Sequence, residues 1–113
     1  MKFPKIPHAL FLLGPVAMMA TGFLLNALVM AANGGQMPVL WPGGCTSMVT
    51  DTDDIVHSCM THATHLKWLA DWIVMNHVGV ASPGDFFEWA FEASFIPALI
   101  AWVVLIIRDH QLK

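Results

Sequence analysis

Residues 9–32, ALFLLGPVAMMATGFLLNALVMAA, run for 24 positions without a charged side chain and end at Asn33, Gly34 and Gly35. No other feature constrains the chain as strongly. A hydrocarbon core of roughly 30 Å takes about 20 apolar residues at a rise of about 1.5 Å each. The run is therefore expected to form a transmembrane helix ending in a glycine turn. A secretory signal is the weaker reading, because signal cores span only about 7 to 15 residues. The segment reads as a retained anchor.

A second apolar run, residues 86–107, reads FFEWAFEASFIPALIAWVVLII and is followed by Arg108 and Asp109. Its uncharged part starts only at Ala93, so a spanning helix must also use the turns that carry Glu88 and Glu92. Two spans joined by a connector over residues 34–85 predict an all-α membrane protein, a two-span helical hairpin forming a single domain over residues 1–113. Composition agrees, since 57% of residues are hydrophobic and 12% charged, against about 25% charged in soluble domains. The net charge is −3 and the five basic residues are scattered singly. Nucleic acid, which needs a basic surface, is not an expected partner.

The basic residues also suggest an orientation. Lys2 and Lys5 precede the first run, and Arg108 and Lys113 follow the second. The connector holds only Lys67 against Asp51, Asp53, Asp54, Asp71 and Asp85. The positive-inside rule then puts both termini in the cytoplasm and the connector on the periplasmic or extracellular side of the cell inner membrane. Residues 34–50 are rich in Gly and Pro and read as a surface loop. Within residues 64–77, Leu66, Leu69, Trp72, Ile73 and Met75 recur near helical spacing. That pattern predicts an amphipathic helix at the outer interface, with Trp68 and Trp72 among the headgroups. Ser82 and Asp85 are candidate caps for the second span.

Several blocks carry a family resemblance: Leu25-Asn26-Ala27-Leu28-Val29, Ala31-Ala32-Asn33-Gly34-Gly35-Gln36-Met37-Pro38-Val39, residues 57–61 with Thr64 and Leu66, Leu69-Ala70-Asp71-Trp72-Ile73, and residues 82–85. In that order they resemble the uncharacterised bacterial membrane family catalogued as domain of unknown function 5317. The resemblance covers roughly residues 23–87 and implies the C-terminal portion of a longer multi-span protein. Ala70 stands where the family usually has Gly, and the segment carrying two cysteines is unusual for it. The resemblance implies a membrane protein and no particular activity.

Four constellations are candidates for function. Asn26 and Glu92 lie at similar depth in an antiparallel hairpin and form a candidate pair; because a polar group in a span faces a partner or a cavity, Glu92 is expected to be protonated or to bond to Asn26 or to another subunit. Gly14 and Gly22, with Ala90, Ser94 and Ala98 at four-residue intervals, offer the small-residue surfaces that helices use to pack in lipid. Cys45 and Cys59 are the only cysteines. On an oxidising side they are expected to form a disulfide, closing a loop worth roughly 3 kcal/mol. Alternatively His57, Cys59, His62 and His65 could hold copper or zinc, His62 and His65 sharing a helix face. The resemblance favours this less, because His62 and His65 fall where the family has other polar residues.

No Ser/His/Asp arrangement, glycine-rich phosphate loop or paired carboxylates in a soluble cleft stands out. The expectation is a non-catalytic accessory subunit without a cofactor. It would contact membrane lipids and pack against larger integral subunits of an electron-transfer or transport complex. The alternative is an outward-facing metal-binding or metal-delivery protein.

Overall fold

The computed structural model describes residues 7–44, 56–76 and 79–113. A 3-10 turn, His8–Leu12, runs directly into helix α1, Leu13–Ala32. The chain leaves α1 through Asn33 and two left-handed glycines, Gly34 (φ 71°) and Gly35 (φ 89°), and the Gly35 N–H returns to the Met30 carbonyl at 2.8 Å. Only glycine takes that backbone without a steric penalty. Helix α2, Pro83–Gln111, begins with a complete capping box. The Ser82 hydroxyl accepts from the Asp85 N–H (3.2 Å), the Asp85 carboxylate accepts from the Ser82 N–H (2.9 Å), and Pro83 occupies the first helical position, where no donor is missed.

The two helices pack antiparallel. His8 Nε2 meets Asp109 Oδ2 at 2.6 Å at one end, and Gly22 lies against Gly84 and Glu88 at the other. With its 3-10 turn, the first helical stretch has 25 residues and the second has 29, each long and apolar enough to cross a membrane. In the most apolar part of α2 no residue is fully buried inside the chain, though several are half-buried.

The buried core is small and sits beyond one end of the hairpin. Strand β1, Met37–Val39, pairs in parallel with β2, His57–Cys59, placing Met37 opposite His57 and Val39 opposite Cys59. Asp71 completes the other side of β1: its N–H donates to the Pro38 carbonyl (3.1 Å), and its carbonyl accepts from the Leu40 N–H (2.7 Å). Strands β3, Ile73–Met75, and β4, Gly79–Ala81, form an antiparallel pair leading into α2. Val29, Met37, Leu69 and Ala70 form one buried cluster, so this outer platform is seated on the last turns of α1.

The predicted amphipathic helix over residues 64–77 does not form. Leu66 is left-handed (φ 53°), a single 3-10 turn covers Lys67–Leu69, and the chain is extended from Ala70 into β3. Two physical reasons favour this. The free edge of β1 presents the Pro38 carbonyl and the Leu40 N–H, which Asp71 satisfies only when extended. The β-branched pair Ile73 and Val74 also fits a strand better than a helix. Trp68 and Trp72 are exposed, and Trp72 Nε1 donates to the Trp68 carbonyl at 2.8 Å. The protein is thus mostly helical with a small sheet component, not all-α.

Candidate functional site

Where α2 begins, the two helices come close enough to exclude side chains. A methyl group on Gly22 would lie 2.7 Å from both Glu88 Cγ and the Gly84 carbonyl, and one on Gly84 would run into the Asn26 carboxamide. With no Cβ at either glycine, Asn26 reaches across into the first turn of α2. Its Oδ1 accepts from the Ser82 hydroxyl at 2.8 Å. Its Nδ2 donates to Asp85 Oδ1 at 3.1 Å and, at 3.5 Å, to Glu88 Oε1. One amide therefore ties the cap of α2 to two carboxylates.

A second polar element approaches from the platform. The Asp71 side chain is 10% exposed, and among the described residues the nearest ionisable nitrogen is His57 Nε2 at 3.9 Å, beyond hydrogen-bonding reach. Burial, reinforced by the charge of Asp85 and opposed by that of His57, pushes the Asp71 carboxyl up to about 6. Asn33 adds a purely structural clamp: its amide donates to the Val29 carbonyl (2.8 Å) and the His65 carbonyl (2.9 Å) and accepts from the His65 N–H (2.9 Å).

The candidate pairing of Asn26 with Glu92 is not what forms. Matching depths from residue 86 starts the second helix too late, because the capping box starts it at Pro83 and the glycine contact sets Asn26 level with Gly84. Glu92 falls two turns beyond that level, exposed and without a hydrogen bond. Of the small residues, Gly22 is buried at the crossing, but Gly14 is exposed and a Cβ there would meet nothing within 4 Å. Ala90, Ser94 and Ala98 are half-buried, and the Ser94 hydroxyl is occupied by the Ala90 carbonyl at 2.6 Å.

His62 and His65 lie on a turn and a bend, not on a shared helix face, and both are exposed. Among the described residues no three His, Cys, Asp or Glu side chains converge as a metal site. Cys45 lies outside the described residues; Cys59 ends β2, and no described cysteine is a free thiol.

Sequence reasoning missed the grouping of Asn26, Ser82, Asp85 and Glu88. The signal that could have revealed it is the capping box S-x-x-D at residues 82–85, which shifts the start of α2 and with it the helix register.

Comparison with curated proteins and with solved structures finds no match. The model of a family of unknown function, DUF5317, matches residues 13–96, a span that holds the glycine crossing, the polar cluster around Asn26 and the whole platform but not the His8–Asp109 contact. The chain accordingly belongs to the family DUF5317.

Proposed function

We propose that this protein is a two-span hairpin of the cell inner membrane, both termini cytoplasmic and the platform outside, acting as a non-catalytic accessory subunit. It packs beside larger integral subunits of a membrane complex of the electron-transfer or transport kind. The observation that carries the reading is the outer wall of α2. No residue in its most apolar stretch is fully buried by the rest of the chain, yet that stretch bears Glu92, exposed and without a hydrogen bond. Lipid alone covers apolar side chains adequately but accommodates an ionisable one poorly, whereas a neighbouring polar helix accommodates both.

The basic residues at the chain ends and the acidic connector support the orientation. The platform, pinned by Asn33 and by a proposed Cys45–Cys59 disulfide, supplies a rigid outer cap with Trp68 and Trp72 exposed. Affinity isolation of the tagged chain in a gentle detergent, followed by a native gel and mass spectrometry, tests the reading. A stoichiometric larger assembly is expected. Migration alone, or as a small homo-oligomer, refutes it.

A further inference from the structure

We propose that the cleft between the 3-10 turn at His8–Leu12 and the end of α2 binds the phosphate of an anionic phospholipid, with His110 and Lys113 as its ligands. The site rests on the two-span reading above, and in the orientation proposed there it faces the cytoplasmic leaflet.

The cleft has a volume of about 170 Å³ and is lined by His8, Ile106, Asp109, His110 and Lys113. Pockets for drug-sized ligands begin near about 300 Å³, so the space suits one small headgroup and not a protein segment. Its level in a bilayer follows from length. The 29 residues of α2 extend about 44 Å at about 1.5 Å each, against a hydrocarbon core of roughly 30 Å. The end of the helix must therefore emerge. The uncharged run stops at Ile107, which sets the following residues among the headgroups, where lipid phosphates lie.

The charges fit an anion. Among the described residues neither His110 nor Lys113 makes a hydrogen bond or an ion pair. The one acid in the lining, Asp109, is met by His8 Nε2 at 2.6 Å. An ammonium offers three donors, and an imidazole keeps one N–H donor even when neutral, so each side chain can hold a phosphate oxygen. The partial negative charge of a helix C-terminus opposes an anion, so these side chains and not the backbone supply the attraction. Toward the membrane the face of Ile106 continues through half-buried Trp102 and exposed Val103, three and four residues back. That apolar track can take an acyl chain, which a free phosphate lacks. Basic clefts at the cytoplasmic ends of spans favour anionic lipid for the same reasons.

Photolabelling tests the site in the full chain, reconstituted into phosphatidylcholine vesicles with a trace of phosphatidylglycerol bearing a photoreactive acyl chain. Adducts located by peptide mass spectrometry are expected on residues 102–113. Unlabelled phosphatidylglycerol should suppress them, whereas an equal addition of phosphatidylcholine, or millimolar inorganic phosphate, should not. Replacing the ligand pair, His110→Ala with Lys113→Gln, should cut labelling about fivefold or more. Lys113→Arg should preserve it. Asp109→Asn, which removes the acid and keeps an acceptor for His8, should raise it. Arg108→Gln, beside the cleft but outside its lining, should change it by less than about twofold. Amide dichroism on oriented films of the same vesicles reports helix tilt for every variant. Helices lying flat overturn the spanning reading, and the lipid site with it. Upright helices overturn the lipid site alone if the adducts lie elsewhere, if phosphatidylcholine or phosphate competes, if the paired variant labels fully, or if Arg108→Gln loses as much as that variant. Should the paired variant lose its tilt, Asp109→Asn decides, and no gain in labelling overturns the site.

Discussion

Replacing Gly22 by alanine puts one methyl group where the helices touch. Its Cβ would sit 2.7 Å from the Gly84 carbonyl and from Glu88 Cγ, while ordinary van der Waals contact begins near 3.4 Å. Glu88 Cγ can rotate aside, but the carbonyl is backbone, so the helices must part by roughly 0.7 Å at this level. The Asn26–Glu88 bond, already 3.5 Å long, is then lost, and the bonds to Asp85 and Ser82 are stretched. Overpacking of this kind costs about 1–3 kcal/mol, and a lost hydrogen bond to a charged group adds about 1.5 kcal/mol or more. Against this, alanine is favoured over glycine inside a helix by about 1 kcal/mol. The net expectation is a destabilisation of about 2–3 kcal/mol. Equilibrium unfolding in mixed micelles of increasing sodium dodecyl sulfate, followed by tryptophan fluorescence, measures it. Gly14→Ala is the internal control. It offers the same gain in helix propensity with nothing within 4 Å to strike, so it should be neutral or stabilising by up to about 1 kcal/mol. Equal effects of the two substitutions, within about 0.5 kcal/mol, would refute the close-approach argument.

Other outcomes follow from the same contacts. Asn33→Ala removes the two hydrogen bonds that fasten residue 65 to the end of α1, and a third to the Val29 carbonyl, and should destabilise the platform by about 1–3 kcal/mol, read as faster amide exchange at His65 and Leu69. Ser82→Ala breaks the capping box and also frees Asn26 Oδ1, so its cost should exceed the ~1 kcal/mol of a simple cap, whereas Ser94→Thr, which keeps the hydroxyl, should leave stability nearly unchanged; the same unfolding titration reads both. Stability should also depend on pH through Asp71. Because its folded-state carboxyl lies at about 6, above the usual 3.8, the folded state holds the proton more tightly than the unfolded chain. That contribution is complete below about pH 4 and is lost as the pH rises through about 6. It amounts to about 1–2 kcal/mol once solvent screening is allowed for. Unfolding midpoints at pH 4 and 7 for wild type and Asp71→Asn check it, since the substitution should remove that part of the pH dependence.

Much of the architecture is legible in the residues themselves. The uncharged run before Asn33 can be satisfied in lipid only as a helix, since every backbone donor and acceptor must be paired within the segment. The left-handed turn at Gly34 and Gly35 and the cap at Ser82 are equally local, because the conformations depend on neighbours within a few residues. What lay beyond the sequence were the choices made between distant segments. Periodicity over residues 64–77 points to a helix, but the unpaired edge of β1 draws Asp71 and its neighbours into extended structure, and local propensity cannot register that competition. Likewise, counting residues from the ends of two apolar runs sets Asn26 against Glu92. The true register comes from the closest approach of Gly22 and Gly84, which seats Asn26 among Ser82, Asp85 and Glu88 and leaves Glu92 facing outward. Helix existence is a property of one segment and its solvent, whereas helix register depends on which two small residues meet, and only the packed pair of helices decides that.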